Sequence, residues 1–170
     1  VMLGSKFRMS VRAKVVALAL GAVAIASSVN IWQAREAAIA DANAKSAARL
    51  DSNIKVAWSV LNPQREPFRL EDGKLLLGSR VLNDDTEIVD RVESLLGGAA
   101  TVFMGDTRVA TNLRNPDGSR ATGTKLTSAA VNDQTLTQGQ PFRGEAQILG
   151  KTYYVAYDPL KDASGKTLGL

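Results

Sequence analysis

The chain of 170 residues is long enough for one domain with one additional element. Hydrophobic residues make up 45% of it, which is typical of a folded protein and argues against wholesale disorder. The sequence contains neither Cys nor His. It therefore lacks the groups needed for disulfides, thiol catalysis, Cys/His zinc sites and histidine acid–base chemistry.

The net charge of +4 is concentrated at the N-terminus. Residues 1–34 contain four basic residues and no acidic residue, so the remainder of the chain is neutral, with 17 residues of each sign. A neutral folded part has no excess of Lys and Arg to replace the counterions of phosphates. We therefore expect no nucleic-acid partner.

An uncharged run of 20 residues covers positions 15–34. A helix of that length spans about 30 Å, the thickness of the hydrocarbon core of a bilayer. The preceding basic residues and Trp32 predict an inner-membrane anchor, with a cytoplasmic stub at 1–14 and an extracytoplasmic remainder. A cleaved signal peptide is an alternative, because Ala24-Ile25-Ala26 resembles a cleavage site. A buried core helix is another.

Residues 35–62 contain no Gly or Pro, and Pro63 follows them. Apolar residues recur there at spacings of three and four, at Ala47, Leu50, Ile54, Ala57 and Leu61. This pattern predicts one long helix that continues the membrane helix to about Leu61. The apolar stripe leaves two interpretations open: packing on its own domain alone, or also a homodimer seam over residues 40–61.

The domain at 63–170 begins with a hairpin signal and a helix signal. Asp72-Gly73 lies between two apolar runs and predicts a hairpin. Asp84 precedes Glu87 at the spacing of a capping box, so we expect Asp84 to cap the next helix. Gly97-Gly98 is typical of a helix end.

A second hairpin is predicted around Gly105-Asp106, with Phe103 opposite Arg108 and Thr101 opposite Ala110. One face of this hairpin would carry a mixed set of side chains: Phe103, Arg108, Ala110 and Asn112. The other face would be apolar: Val102, Met104, Val109 and Leu113. A mixed concave face suits a small polar ligand.

The last third of the chain predicts a short helix over 126–136 and a third hairpin around Gly150-Lys151, with Ile148 opposite Tyr153. A final strand begins at Thr167, and it is short for a strand. We therefore interpret the chain as part of a longer protein. The expected fold class is α+β: a long N-terminal helix, then an antiparallel sheet of about five strands flanked by short helices.

Four segments resemble the single Cache, PAS-like extracytoplasmic sensor domain of bacterial transmembrane receptors, above all of methyl-accepting chemotaxis proteins. They are LNDDTEIVDRV, GGAATVFMGDTRVATNL, DGSRATGTKL and FRGEAQILGKTYYVAYDPLKDASGKTLG. The resemblance implies a periplasmic domain that binds a small molecule and transmits the change to its terminal helices, as the sensory part of a chemoreceptor. The alternative is the same sensor domain in a membrane diguanylate cyclase or histidine kinase. A third interpretation is an anchored or secreted binding module without signalling output.

The domain is also similar to the citrate and dicarboxylate sensor kinases, in which the Arg of a TRVATN-like strand binds a ligand carboxylate. This similarity implies that Arg108 contacts an anion. The sequence has no second Arg beside Pro159, which favours a monocarboxylate or other small organic acid. The candidate ligand-binding residues are Arg108, Tyr153, Tyr157, Phe103, Asn112 and Arg120.

Each candidate also has a structural interpretation. Arg108 could pair with Asp106, Arg120 could be a solvated charge, and Asn112 could bond to backbone groups. The tyrosines and Phe103 could serve in packing alone. We expect no catalytic residue, cofactor or metal and no enzymatic activity, since the serines have no His partner and the aspartates are too scattered for a calcium loop.

Overall fold

The computed structural model describes residues 10–170, with the backbone alone at 13–19 and 21–26. Most of the predicted stub at 1–14 lies outside the described residues. The chain divides into two compact units, the first ending at Lys45 and the second comprising Ser46–Leu170.

A single helix, α1, covers Val11–Leu61 and confirms the predicted continuous helix. It ends before Pro63, because a residue that precedes proline is disfavoured in the helical region. The Asn62 side chain caps the turn that follows, accepting from the Glu66 N–H and donating to the Glu66 carbonyl, both at 2.8 Å. Within the described part of the chain, no helix is both long and apolar enough to cross a membrane.

Three short strands follow as one antiparallel sheet: β1 (Phe68–Glu71), β2 (Lys74–Leu77) and β3 (Arg80–Val81). Asp72 and Gly73 both have positive φ, 49° and 73°. This is the backbone of a two-residue hairpin turn, and it confirms the predicted turn.

Helix α2 (Thr86–Leu96) forms where predicted, but the N-cap is Asp85 and not Asp84. The Asp85 carboxylate accepts from the Ile88 N–H at 3.3 Å. Asp84 instead adopts φ 59° and donates its N–H to Val109 at 2.8 Å. An aspartate tolerates this left-handed conformation better than most residues.

The central sheet consists of β4 (Thr101–Met104), β5 (Thr107–Thr111), β8 (Leu160–Lys161) and β9 (Thr167–Gly169). Its strand order is β5-β4-β9-β8. Gly169 lets β9 approach β4 closely, because a Cβ at this position would overlap the carbonyl oxygen of Phe103.

The predicted pair Phe103–Arg108 is confirmed, but a bulge next to it changes the rest of the register. Val102, and not Thr101, lies opposite Ala110. A bulge places one extra residue on one strand, and it therefore moves every later side chain to the other face. Ala110 accordingly packs with Val102 and not on the Phe103 face.

The last hairpin consists of β6 (Phe142–Ile148) and β7 (Lys151–Tyr157). Its turn is Leu149-Gly150 and not Gly150-Lys151, so Ile148 lies opposite Lys151 and Tyr153 lies opposite Ala146. Leu149 takes a positive φ of 49°, which no turn propensity of leucine predicts. Tyr153 and Tyr157 lie four residues apart on β7, so their side chains share a face, as predicted, whatever the register.

The helix predicted over 126–136 is shorter and partly different in type. It consists of α3 (Ala129–Val131) followed by a π-helix at Asn132–Thr137. The fold is α+β with a long helix and antiparallel sheets, as expected. In the described residues 10–170, nine short strands in three sheets replace the expected sheet of about five.

Two hydrophobic clusters form the core of the Ser46–Leu170 unit. The first joins β1, β2, α2 and the apolar face of β4 and β5, with Trp58 and Leu61 of α1 packed against it. The second lies around Phe103 and includes Val131, Ala146, Ile148, Val155 and Leu170. The candidate residues Arg108 and Tyr157 belong to the surroundings of this second cluster.

Candidate functional site

Arg108 is buried on β5, with only 4% of its surface exposed. One of its terminal nitrogens donates to the Thr124 hydroxyl. The backbone of Arg108 also bonds to the loop that carries Thr124. Its N–H donates to the Thr124 carbonyl at 2.9 Å, and its carbonyl accepts from the Gly123 N–H at 2.8 Å. The guanidinium is therefore fixed in place by the sheet on one side and by the loop on the other.

No carboxylate within the described residues pairs with the Arg108 guanidinium. Asp106, its predicted alternative partner, instead pairs with Lys125 at 2.5 Å. The Nε of Arg108 is buried and has no hydrogen-bond partner in the described part of the chain. Burial lowers the pKa of Arg108, and the nearby Tyr157 partly opposes this change. A buried cation without a counterion is costly and is rarely retained for stability alone.

Two aromatic rings border the guanidinium. The Cζ atom of Arg108 lies 4.8 Å from the ring centroid of Phe103, a cation–π distance. The Phe103 ring packs edge to face on Tyr157, with 6.2 Å between centroids. Burial raises the pKa of Tyr157 while Arg108 lowers it, so the phenol and the guanidinium are electrostatic neighbours. Phe103, Arg108 and Tyr157 thus form one site, which we call the Arg108 site.

Asn112 and Arg120 lie elsewhere and are occupied. The Asn112 side chain accepts from the Ala100 N–H at 2.9 Å and donates to the Gly98 carbonyl at 3.2 Å, which is the structural role foreseen as its alternative. Arg120 makes a two-pronged ion pair with Asp90, at 2.8 and 2.7 Å, and bonds to the Thr111 carbonyl. Neither side chain adds a free donor to the Arg108 site.

Tyr153 is 40% exposed and lies away from the guanidinium, four residues before Tyr157 on the same strand. It lines a groove of about 490 Å³ whose lining residues include Tyr157 but not Arg108. The structure therefore brings together three of the six candidates.

Two residues of this region were not predicted. Thr124 links Arg108 to the 121–124 loop, since its hydroxyl also donates to the Ala121 carbonyl at 2.7 Å. Thr135, in the π-helix, is fully buried and its hydroxyl has no partner among the described residues. The π-helix packs against β9. In the sequence, neither threonine differs from an ordinary loop or helix residue, so no local signal identifies it. The π-helix around Thr135 is a structural signal, because single π-turns are frequent at functional sites.

A polar network joins β7 to α1 one residue beyond Tyr157. The indole N–H of Trp58 donates to Asp158 at 2.6 Å. Arg143 lies 2.7 Å from the other oxygen of Asp158 and 3.6 Å from Asp51 of α1. Arg143 also donates to the Tyr157 carbonyl at 3.1 Å. The strand that carries Tyr157 is thus bonded directly to the long helix.

A single buried guanidinium beside a phenol provides donors for one small anion, with a carboxylate as the best geometric match. The described residues contain no cluster of acidic side chains that could hold a metal ion.

The family model "Single cache domain 3" matches residues 80–170, just over half of the chain, and this range contains every residue of the Arg108 site. No curated protein and no solved structure matches the chain significantly. The chain belongs to the single Cache domain 3 family, whose members are extracytoplasmic small-molecule sensor domains of signalling receptors.

Proposed function

We propose that the chain is the ligand-sensing part of a transmembrane chemoreceptor and that the Arg108 site binds a monocarboxylate or another small organic acid. Membership of a sensor family supports the sensing role. The observation that carries the ligand class is the buried Arg108 guanidinium, which has an unpartnered Nε and no carboxylate partner among the described residues.

A bound anion would compensate the buried charge of Arg108. Removing a cation from water costs several kcal/mol, and a hydrogen-bonded anion offsets that cost. A ligand carboxylate would accept from Nε of Arg108 and from the Tyr157 hydroxyl, two donors on neighbouring side chains. Arg120, the other candidate cation, is already paired with Asp90. Of these two arginines, Arg108 alone is available to a ligand, which favours a ligand with one carboxylate over a ligand with two.

Binding at this site has a short route to α1. Tyr157 precedes Asp158, and Asp158 holds the Trp58 indole of α1. A ligand that favours one position of Tyr157 would shift this link. The size of the signal is limited by the difference between the ligand's affinities for the two states. Shifts of 1–2 Å along or between helices are a known way to pass such a change on.

We also propose that residues 15–34 anchor the chain, with residues 1–14 cytoplasmic and the sensor periplasmic. The proposed homodimer would use the helix over 40–61. Within that range, Leu50, Ile54, Ala57 and Leu61 line the groove of their own domain. A dimer contact would therefore use other positions of the helix, such as Val56, which is 36% exposed.

The test is a thermal-shift screen of the full chain in detergent against organic acids, amino acids, amines and purines. A ligand at 100 times its Kd stabilises the folded state by about 2.7 kcal/mol. We expect a monocarboxylate to raise the Tm by several degrees. The shift should disappear in the Arg108→Met variant, because the thioether offers no donor.

Arg120→Met is the matched control. It removes an arginine from the same domain but from an ion pair outside the Arg108 site. This variant should keep the ligand-induced shift although its own Tm falls. An acid that stabilises Arg108→Met as much as the wild type would disprove the site, and a family of amines or purines as the only ligands would disprove the ligand class.

A further inference from the structure

The hydroxyl of Thr135 is a buried polar group that the fold leaves unpaired. The residue is fully buried, and its hydroxyl has no hydrogen-bond partner among residues 10–170. A threonine in a helix ordinarily donates back to a carbonyl of the preceding turn. Burial of a hydroxyl without such a bond costs free energy, and valine has the same shape without that cost. The threonine is therefore unfavourable for the stability of the ligand-free fold.

The buried face of the π-helix lies on the Phe103 side of the central sheet. Val131, one residue before the π-helix, is in the same hydrophobic cluster as Phe103, and Leu136 packs against that cluster. Residues four apart share a helix face, so Thr135 lies on the face of Val131, and both are fully buried. The π-helix also packs on β9, the neighbour of the strand that carries Phe103. The Thr135 hydroxyl thus belongs to the interior around the Phe103 ring.

The Arg108 site borders the same interior. The Phe103 ring contacts the Arg108 guanidinium on one side and the Tyr157 ring on another, and Tyr157 packs against the cluster that contains Val131. The Nε of Arg108 is likewise buried and unpartnered in the part of the chain that the structure describes. Native proteins pair nearly all of their buried polar atoms. A single ligand that bonds to both atoms would account for both.

The two groups select for different chemistry. A guanidinium only donates hydrogen bonds and favours a carboxylate, whereas a threonine hydroxyl donates and accepts one bond each. The hydroxyl of Thr135 is neutral, so it cannot compensate a second ligand carboxylate. It can bond to an alcohol or to a carbonyl oxygen. An acid with a plain alkyl chain would leave it unpaired.

We infer that Thr135 is a specificity-determining residue of the Arg108 site and that the ligand is a small monocarboxylate with one further oxygen, a hydroxyl or an oxo group. The carboxylate would pair with Arg108, and the further oxygen would bond to the Thr135 hydroxyl. This inference rests on the proposed function, because it requires an acid at Arg108. It adds the group that distinguishes between acids of equal charge. A site that bonds to a ligand oxygen discriminates against the analogue that lacks it.

Isothermal titration calorimetry of the full chain in detergent compares glycolate with acetate, and lactate and pyruvate with propionate. We expect at least one oxygenated acid to bind about tenfold more tightly than its alkyl analogue. Thr135→Val keeps the shape but not the hydroxyl, so it should reduce this preference to about threefold or less, by weakening the oxygenated acid alone. Thr135→Ser should retain the preference.

Thr111→Val is the matched control, because Thr111 is also fully buried but its hydroxyl bonds to the Thr101 hydroxyl at 2.8 Å. This variant should keep the preference between acids while its ligand-free Tm falls. The ligand-free Tm of Thr135→Val should stay unchanged or rise. A fall as large as that of Thr111→Val would show that the Thr135 hydroxyl is a structural partner within the fold, and it would overturn the inference.

The binding data also separate this inference from the proposed function. Suppose that acids bind and that Arg108→Met abolishes their binding. If the oxygenated acids then bind no more tightly than the alkyl acids, or if Thr135→Val keeps the preference, the inference is overturned and the Arg108 site stands. If no acid binds to the wild type, both are overturned.

Discussion

At the N-terminus of α2, one carboxylate serves both as a cap and as half of an ion pair. The Asp85 carboxylate accepts from the Ile88 N–H. It also accepts two bonds from the Arg80 guanidinium, one from Nε and one from a terminal nitrogen at 2.9 Å. The Arg80 bond is the main cause that lowers the pKa of Asp85 below its ordinary value of 3.8. The unfolded chain therefore takes up this proton at a higher pH than the folded chain does.

A pH prediction follows for Asp85. Its stabilising effect is fully present above the ordinary pKa and is lost as the pH falls below about 4 and through the lowered pKa. Asp85→Asn retains a capping side chain but not the charge, so we expect it to cost about 1 kcal/mol at pH 7 and less at pH 3. Urea unfolding at both pH values measures this. Asp84→Asn is the control, and an equal loss at both pH values for Asp85→Asn would contradict the prediction.

Arg108 leads to the opposite expectation for stability. Its uncompensated burial means that Arg108→Met should leave the Tm of the ligand-free protein unchanged or raise it, despite the lost bond to Thr124. Arg120→Met breaks a paired charge and should lower the Tm. Differential scanning calorimetry without ligand compares the two. A marked fall for Arg108→Met would indicate a structural role for Arg108.

These residues also show how far the sequence predicts the site. The strand motif indicated Arg108, and the two-residue loop placed it opposite Phe103. The sequence could not show that Asp106 pairs with Lys125, because that contact crosses 19 positions of the chain. Thr124 and Thr135 were missed for the same reason: their burial depends on tertiary packing, and their local sequence is that of ordinary polar residues.

At the scale of elements, the contact between β4 and β9 depends on a glycine. A Cβ at Gly169 would overlap the Phe103 carbonyl, whereas a Cβ at Gly98 meets nothing within 4 Å. We therefore expect Gly169→Ala to lower the free energy of unfolding by about 2 kcal/mol and Gly98→Ala to change it little. Urea denaturation tests both variants. Equal effects would show that β9 is not held against β4.

The link between α1 and β7 gives a second prediction for the elements. Trp58→Phe keeps a ring next to Phe68, 6.0 Å away, but removes the donor to Asp158. We expect a loss of about 2 kcal/mol, typical of a hydrogen bond to a charged group. Ser59→Ala removes an exposed bond to Val56 on the same helix and should cost less than 0.5 kcal/mol, about the limit for surface changes. Similar losses for both would mean that the network does not hold α1 to the strand.

Element type was more predictable than register. Turn residues located three hairpins, and the absence of Gly and Pro over 35–62 predicted the long helix. The bulge beside Val102 and the turn at Leu149-Gly150 were not predictable, because each depends on which residues pack best across the sheet rather than on local propensity. The π-helix at Asn132–Thr137 reads in the sequence as an ordinary helix end.

At the scale of the whole molecule, the proposed membrane topology is testable because the natural sequence has no cysteine. Cysteine introduced at Asp72, in the exposed β1–β2 turn, should react with a membrane-impermeant maleimide in intact cells. Cysteine introduced at Lys6 should react only after permeabilisation. Labelling of both in intact cells, or of neither, would contradict an anchor with a cytoplasmic N-terminus and a periplasmic sensor.

The NMR signal of the Arg108 Nε–H tests the proposed anion site most directly. In protein labelled with ¹⁵N-arginine, this signal is identified by its loss in Arg108→Met and is followed while acetate, propionate or pyruvate is added, with acetamide as the uncharged control. We predict a saturable downfield shift of the Nε proton with at least one acid and none with acetamide. An Arg108 signal that stays unchanged for every acid, or while an acid raises the Tm, would contradict the assignment of this site.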